Sequence, residues 1–436
     1  MLKKTVSILS LVLLVFFMSC SPKYDDESDF RVSPLDGGKS VAITEYVGMK
    51  QTITIPAKIG GLPVTGIGET AFREKEIISV AIPKSVTSIG DGAFSYNQLT
   101  SVTIPNSVTS IGEQAFSRNQ LTSVTIPNSV TNIGGSAFSD NQLTSVTIPN
   151  GVTAIGRSAF SENQLTSVTI PNSVTDIGDG AFQDNQLTSV TVPNSVTSIG
   201  GRTFANNQLT GVTIPNDVTA IGDYAFANNR LTGVTIPNGV TNIGSWAFQN
   251  NQLTSVTIPS SVMHIGTSVF RNNPLLSFTI APDNTEFDTI GFFIVSKNGE
   301  RLISYCGVDK NITIPEGVTS IEAWAFFGHG LTDVLIPDSV ISIGVNAFRY
   351  NELTTVAIPD SVRSIGDNAF DDNSIDSFSI GSDVELGDSA VGNWLFVRQY
   401  NMRWGTTDSY TLPRNAYGFG RYGGTYYARG SYWVRQ

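Results

Sequence analysis

The sequence predicts a mainly β solenoid of about fifteen coils, and three observations support this fold class. First, the segment Ile104–Thr125 recurs almost letter for letter every 22 residues, and a fixed period of about 20 to 29 residues is typical of a solenoid. Second, the central copies repeat the same apolar positions. Third, each copy carries a β-branched triplet such as Val102-Thr103-Ile104, followed at once by a proline that cannot donate to a strand ladder.

Each coil is predicted to combine one short strand with an apolar wall that faces a shared core. Gly112 is predicted to be a tight-turn residue, and Ala115 leaves room for the Phe116 anchor. A column of asparagines is predicted to satisfy loop backbone groups, coil on coil. The column consists of Asn97, Asn119, Asn141, Asn163, Asn185, Asn207, Asn229, Asn251 and Asn273. One coil buries too little surface to offset the entropy of ordering its backbone, so stability is expected to come from stacking.

The pattern LTSVTIPxSVTxIGxxAFxxN, which covers about residues 40–385, resembles the BspA-like, or treponemal-type, leucine-rich repeats. The resemblance implies a right-handed leucine-rich-repeat solenoid of short parallel strands with a parallel sheet on one face. The unit here is one residue shorter than the common unit of that family, and Asn stands where the family often has Cys. The stretch from Ala42 to Phe72 resembles the family's N-terminal cap, which would shield the apolar wall and strand edge of the first coil.

Residues 1–20 have the features of an export signal. Lys3 and Lys4 precede an apolar stretch, Val6–Phe17, which is short for a membrane span, and Cys20 follows it. This arrangement resembles a bacterial lipobox with Cys20 as the lipidated residue, although Phe stands where Leu is usual. The alternative is an ordinary cleaved signal with a cysteine nearby by chance. Because the chain has two cysteines and one stands here, we favour lipidation.

Changes in period and composition divide the remainder of the chain into six segments. They are a tether (21–31), an N-terminal cap with the first coil (32–72), near-identical leucine-rich repeats (73–280), a hairpin insertion (281–313), divergent leucine-rich repeats (314–387) and a C-terminal module (388–436). In the insertion, the turn Lys297-Asn298-Gly299-Glu300 between two apolar runs predicts one β-hairpin within Phe287–Tyr305.

The C-terminal module is basic and rich in glycine and aromatic residues, although the whole chain has a net charge of −11. Short strands are predicted around 425–427 and 432–434, so the module is a β-like tail. It is expected either to cap the last coil or to contact an anionic envelope polymer or the host matrix. In the second case Arg421, Tyr426 and Trp433 are the candidate contact residues. Export and an acidic body argue against a nucleic-acid partner.

The sequence contains no catalytic motif, metal-ligand spacing or phosphate-binding loop. His264 and His329 are the two histidines, and each replaces the usual residue of a repeat column. Cys306 is expected to be a packing residue, with a reactive or intermolecular thiol as the alternative. We therefore predict no enzyme activity, no catalytic residue, no cofactor, no metal and no small-molecule substrate.

One repeat column, the residue before the Ala-Phe pair, varies along the chain. It holds Gly92, Gln114, Ser136, Ser158, Gly180, Arg202, Tyr224, Trp246, Ser268 and, beyond the insertion, Trp324. Tyr224 and Trp246 are expected to be neighbours on adjacent coils outside the core. Together with Trp324 they are either scattered surface aromatics, which need no explanation, or a contact patch, because Trp and Tyr are common interface anchors.

These features predict a non-enzymatic lipoprotein of the bacterial envelope, in the outer membrane or at the cell surface, whose repeats bind other proteins. A lipid on Cys20 would supply its contact with the membrane. The resemblance implies adhesion to host matrix proteins or to other cells, which is an inference by analogy of fold. The alternative is a periplasmic or envelope scaffold that never meets a host.

Overall fold

The computed structural model describes residues 24–381, 384–391, 408–411 and 434–435. The fold is a parallel β-solenoid of about 16 turns with nearly no helix, which confirms the predicted fold class and adds one turn to the predicted number. The candidate lipidation site Cys20 and the candidate contacts Arg421, Tyr426 and Trp433 lie outside the described residues. Among the described residues, no helix is long and apolar enough to cross a membrane.

A regular coil contributes one strand to each of two faces. The first, the Thr face, comprises Thr52–Thr54, Ser79–Ala81, Val102–Thr103, Val124–Thr125, Ser145–Thr147, Ser167–Thr169, Ser189–Thr191, Gly211–Thr213, Ser255–Ile258, Ser277–Ile280, Asn311–Thr313, Asp333–Leu335, Thr355–Ala357 and Ser377–Ile380. Equivalent residues pair in parallel, as in Val102 with Val124 and Thr103 with Thr125. The inward Val is buried while the Thr is exposed.

The second face, the Ile face, was not predicted from sequence as a separate ladder. It comprises Ser40–Tyr46, Leu62–Ile67, Ser88–Ile89, Ser110–Ile111, Asn132–Ile133, Ala154–Ile155, Asp176–Ile177, Ser198–Ile199, Ala220–Ile221, Asn242–Ile243, His264–Ile265, Arg301–Tyr305, Ser320–Ile321, Ser342–Ile343, Ser364–Ile365 and Glu385–Leu386. The remaining elements are a 3-10 turn, Glu27–Asp29, and the strands Phe30–Leu35, Lys58–Ile59, Phe287–Ile290, Phe293–Ser296, Asp408–Thr411 and Val434–Arg435.

The phenylalanine column forms one continuous stack through the core. The rings of Phe94 and Phe116 are 5.3 Å apart between centroids, with 6° between their planes. The same parallel arrangement runs from Phe72 to Phe270. Each ring is thus buried by its neighbours above and below, so the core exists only because the coils stack.

The asparagine column forms the predicted ladder between coils. The side-chain amide of Asn119 donates to the carbonyl oxygens of Phe94, Phe116 and Ser117 at 2.9, 3.1 and 3.2 Å. Its Oδ1 accepts from the backbone N–H of Leu99 at 3.0 Å. One buried side chain therefore satisfies backbone groups of two coils, which confirms the role predicted from sequence.

Gly112 begins the predicted tight turn, because its carbonyl oxygen accepts from the backbone N–H of Ala115 at 3.4 Å, but the turn is not the reason that glycine is required there. Its φ is not positive, but an added Cβ would lie 2.6 Å from the backbone N of Asp91 and 2.6 Å from the carbonyl carbon of Gly90. This column needs glycine because the backbones of successive coils meet there. The left-handed residue lies two positions later: Gln114 has φ 55° without being glycine.

The predicted tether over 21–31 is wrong from Asp25 onward. The carboxylate of Asp25 accepts from the backbone N–H of Thr54 at 2.7 Å and from Lys50 Nζ at 2.6 Å. Phe30 is buried, and its ring centroid is 5.5 Å from that of Tyr46. These residues dock because they satisfy and cover the open end of the first coil.

The hairpin predicted in the insertion is present, with one strand more than expected. Phe293–Ser296 pairs antiparallel with Arg301–Tyr305 around Gly299, which has φ 76°. A further strand, Phe287–Ile290, pairs antiparallel with Phe293–Ser296. Arg301–Tyr305 then pairs in parallel with Ser320–Ile321, so the insertion takes the place of a coil in the Ile face.

Residues 388–391 of the predicted C-terminal module are the turn of the last coil, in which the Ala390 carbonyl accepts from the backbone N–H of Phe370 at 2.8 Å. The other described residues of the module continue the Thr face. Asp408–Thr411 pairs antiparallel with Ser377–Ile380, and Val434–Arg435 pairs antiparallel with Asp408–Thr411. These strands cover the free edge of the last parallel strand. A binding role for the module stays a prediction.

Cys306 lies in the core, within the insertion, with an exposed fraction of 1%, and it is a free thiol as far as the described residues extend. Burial raises the pKa of its thiol, so the reactive thiolate is scarce in the folded protein. We expect a thiol reagent such as DTNB to label Cys306 at least ~100-fold more slowly in the native Cys20→Ala chain than in the same chain unfolded by guanidinium. Equal labelling rates would show that the thiol is accessible.

Candidate interaction surface

Tyr224 and Trp246 project from the turns that precede the core phenylalanines. Both have φ 57°, the left-handed conformation, while Ala225 and Ala247 after them are fully buried. The two rings stack with centroids 4.9 Å apart and 17° between their planes. The structure therefore confirms that they are neighbours outside the core.

Trp324 joins this pair from the far side of the insertion. Its ring meets that of Trp246 edge-to-face, at 6.0 Å and 87°. The coil between them carries the small, buried Ser268, whose backbone N–H donates to Ser304 Oγ of the insertion at 3.1 Å. Because this position holds serine, no large side chain separates the two tryptophans.

The surface continues through two rings, Phe327 and Tyr350, that were not predicted from the sequence. Phe327 is 4.8 Å from Trp324, and Tyr350 is 5.2 Å from Phe327 at 83°. We call the row Tyr224, Trp246, Trp324, Phe327 and Tyr350 the aromatic seam. Tyr350 is 52% exposed and the other four side chains are partly exposed, so the row is available to a partner while neighbouring rings hold it in place.

Three arginines lie over rings of the seam. The guanidinium carbon of Arg202 is 5.3 Å from the Tyr224 centroid, that of Arg271 is 5.9 Å from Phe327, and that of Arg349 is 4.8 Å from Tyr350. Such cation–π contacts orient the guanidinium groups and leave their N–H donors available.

The three arginines differ in how their charge is balanced. Arg349 forms ion pairs with Asp371 at 3.2 Å and Asp372 at 2.8 Å. Within the part of the chain that the structure describes, neither Arg202 nor Arg271 has a carboxylate at ion-pair distance. Arg271 Nε donates to the Gly328 carbonyl at 2.8 Å, and burial lowers the pKa of its guanidinium.

A cleft of about 410 Å³ opens beside the two tryptophans. Ser245, Trp246 and Thr267 line it from the first set of coils; Arg301, Glu322 and Trp324 line it from the insertion and the second set. Arg301 Nε and Glu322 Oε1 form a 2.8 Å ion pair. Apolar walls with a few polar groups are typical of a site that receives a side chain.

The Thr face offers less to a selective partner. A hollow of about 590 Å³ lies on it, where Gly211 and Gly233 replace the serine of other coils. Its lining is Ser, Val, Thr and Gly without a charged side chain. This composition repeats along the face and provides little basis for discrimination.

The histidines lie in unrelated environments. His264 is exposed on the Ile face, whereas His329 takes an asparagine-column position and packs on Tyr305 at 5.2 Å between ring centroids. Among the described residues, no group of three or more His, Cys, Asp or Glu side chains is placed to hold a metal ion. Ring faces and guanidinium groups predominate in the seam, and these are the groups that proteins use to contact proteins.

His329 should make stability depend on pH. Its Nε2 is buried without a partner, and burial, aided by the nearby Arg271, lowers its pKa to about 3. Since the unfolded chain then binds the proton more tightly, the contribution of neutral His329 is complete above about pH 6.5 and is lost towards pH 3. Because the residue as a whole is partly exposed, the loss is less than the limit of about 1.4 kcal/mol per pH unit. We expect His329→Asn to remove this loss in urea titrations across that window. Parallel pH curves for the two proteins would contradict the assignment.

Comparison with models of known families gives a match to the BspA type leucine rich repeat region, with six copies, at residues 65–188, 175–298 and 299–401. These three segments cover well over half of the chain. The chain belongs to the BspA-type leucine-rich repeat family. The resemblance predicted from the repeat pattern is thereby confirmed. A leucine-rich-repeat solenoid is typically a non-catalytic scaffold for protein interaction, and no enzyme family is indicated for this BspA-type chain.

Several solved structures of bacterial leucine-rich repeat proteins are similar to this BspA-type chain. A protein from Eubacterium ventriosum is 26% identical over 56% of this chain and 61% of that chain, less than two thirds of its length, with a TM-score of 0.45. One from Bacteroides ovatus is 21% identical over 83% and 90%, with a TM-score of 0.44. A leucine rich cell surface protein from Faecalibacterium prausnitzii is 26% identical over 86% and 93%, with a TM-score of 0.43. No curated protein matches the chain.

Proposed function

We propose that this BspA-type protein is a non-enzymatic lipoprotein of the bacterial envelope that binds other proteins through its aromatic seam. Its role is adhesion to host matrix proteins or to other cells. The observation that carries the proposal is the contiguous row of five rings with three arginines over it. Trp, Tyr and Arg are the residues most enriched at energetic hot spots of protein interfaces.

The seam suits tight contact because it is already ordered. Stacking and edge-to-face contacts hold the rings in place, so a partner need not immobilise them on binding. The unbalanced guanidinium groups of Arg202 and Arg271 can donate to carboxylates or carbonyl oxygens of the partner. The seam therefore fits a protein surface that combines apolar or aromatic side chains with acidic ones.

The envelope location rests on Cys20 and the export signal before it. A lipid on Cys20 would hold many copies of the solenoid on one membrane. Contacts that are weak singly then add up, because the later ones form at high effective concentration. This arrangement is what adhesion to a repetitive matrix requires.

Two measurements on intact cells test the location. Metabolic labelling with palmitate should mark the wild-type protein and not a Cys20→Ala variant. Protease added outside the cells should degrade the wild-type protein. Labelling of both proteins would exclude Cys20 lipidation. Survival of the protein on cells that remain intact would favour the alternative, a periplasmic scaffold without host contact.

Binding to an array of purified matrix proteins tests the adhesion role. A chain of residues 21–436, which lacks the signal and Cys20, is expected to bind at least one of them saturably. Absence of binding to every matrix protein and to intact host or bacterial cells would contradict adhesion. The solenoid would then be better explained as an envelope scaffold.

A further inference from the structure

The insertion reproduces the geometry of the N-terminal cap. In the cap, Phe30 and Tyr46 face each other from two antiparallel strands, with ring centroids 5.5 Å apart and 46° between planes. In the insertion, Phe293 and Tyr305 do the same from two antiparallel strands, at 5.1 Å and 35°. Each pair closes a hairpin that precedes a run of regular coils.

Both pairs pack in the same way on the first phenylalanine of the stack that follows. Phe30 meets Phe72 edge-on at 6.3 Å and 62°, and Phe293 meets Phe326 edge-on at 6.2 Å and 69°. The tyrosine rings are 5.6 Å from Phe72 and 5.7 Å from Phe326. The cap and the insertion therefore share the arrangement of three rings, and two of the interplanar angles are similar.

The residues after the tyrosines agree as well. The Tyr46 hydroxyl donates to the carbonyl of Lys50 at 3.2 Å, and the Tyr305 hydroxyl donates to that of Asp309 at 3.4 Å. Gly48 and Gly307 follow two residues after the tyrosines, and a Cβ on either would collide with the hydroxyl. Both segments then enter a Thr-face strand, Thr52–Thr54 or Asn311–Thr313, that overlaps the sequence Ile-Thr-Ile-Pro.

The continuous ladders of the solenoid stop at the insertion. His329 interrupts the asparagine column between Asn273 and Asn351. Phe270, the last ring of the first stack, lies against Phe278 at 55° instead of stacking onward. The buried apolar residues form two clusters. The second contains Leu302, Tyr305 and all the buried apolar side chains from 312 onward, whereas Ile294, Ile303 and Cys306 of the insertion pack with the first cluster, so the insertion contacts both.

We infer that residues 293–391 form a second solenoid module with its own cap, joined at the aromatic seam to a first module of residues 25–281. In a solenoid, cooperativity passes from coil to coil through shared interfaces. Where the asparagine ladder and the phenylalanine stack are both interrupted, as they are at the insertion, coupling between neighbouring coils weakens. Across this joint the contacts include the Trp246–Trp324 rings, the Arg271–Gly328 hydrogen bond and the Ser268–Ser304 hydrogen bond.

The inference places the seam at a boundary between two bodies. A partner seated on the five rings would contact both modules, since Tyr224 and Trp246 belong to the first and the other three to the second. Inter-module boundaries are also where clefts such as the one beside Trp246 commonly form. The modular division itself does not depend on the proposed function.

Denaturant unfolding of the full chain, followed by hydrogen exchange of peptides from each module, tests the inference. Matched variants are Asn163→Ala in the first module and Asn351→Ala in the second, since both side chains make equivalent ladder bonds. We expect two transitions. Each variant should lower the denaturation midpoint for peptides of its own module and leave the midpoint of the other module unchanged within error.

A single transition that both variants shift equally for all peptides would overturn the inference. If an alanine variant fails to fold, Ile155→Val and Ile343→Val repeat the test with smaller changes at equivalent buried positions.

A third variant tests whether the insertion acts as a cap. Phe293→Ala should lower the midpoint of the second module alone, and an unchanged midpoint would show that the insertion caps nothing.

Discussion

Gly112→Ala is expected to lower the free energy of unfolding by at least ~2 kcal/mol, because the new methyl group has no room between two coil backbones. Asp91 Oδ1 would lie 2.5 Å from the added Cβ, and two backbone atoms, the N of Asp91 and the carbonyl carbon of Gly90, would lie 2.6 Å from it. The carboxylate can rotate away, but neither backbone atom can move aside without separating the coils. Urea unfolding of the variant and the parent measures the effect.

Gly211→Ala is the matched control for this substitution. An added Cβ at Gly211 has nothing within 4 Å, and the residue lies in an extended strand. Replacement of glycine there should leave stability unchanged or raise it by up to about 1 kcal/mol, through lower entropy of the unfolded chain. Equal losses at the two sites would show that close approach of backbones does not explain the glycine column.

Asn163→Ala should cost about 3 kcal/mol, the second large effect. The Asn163 amide donates to the carbonyls of Phe138, Phe160 and Ser161 at 2.9, 3.3 and 3.1 Å, and its Oδ1 accepts from Leu143 N at 2.9 Å. Alanine leaves the buried Leu143 N–H without this partner, and buried polar groups without partners cost about 1–3 kcal/mol each.

The neighbouring Gln164 provides the control, since its side chain is exposed and its backbone N–H bonds Leu143 O regardless of side chain. Gln164→Ala is expected to change stability by no more than ~0.5 kcal/mol. Thermal and urea unfolding of both variants measure the difference. A loss at Asn163 no larger than at Gln164 would mean that the ladder bonds contribute little.

The repeat period accounts for what could be predicted of the fold. A 22-residue repeat places equivalent residues on top of one another, so the phenylalanine stack and the asparagine ladder follow from the sequence. The role of Gly112 could not be read in this way, because glycine serves both turns and close backbone approach. The docking of Asp25 was missed because Asp25 lies outside the repeats and its partners, Lys50 and Thr54, are distant from it in sequence.

The repeat period also decides which part of the seam was predictable. Tyr224 and Trp246 share a column on adjacent coils, so their contact follows from the period. The contact of Trp246 with Trp324 depends on the course of the insertion and on a small residue at 268. Phe327 and Tyr350 lie in other columns, and a column-by-column reading does not connect them.

The central claim is that the aromatic seam is the protein's contact surface. Titration calorimetry or surface plasmon resonance with a matrix protein that the wild type binds tests it. Tyr224→Ser with Trp246→Ser should weaken binding about 10-fold or more. The control is Tyr96→Ser, which removes an exposed ring between Arg73 and Arg118 away from the seam and should change affinity less than about 2-fold. Unchanged affinity in the double variant, with the fold intact, would contradict the claim.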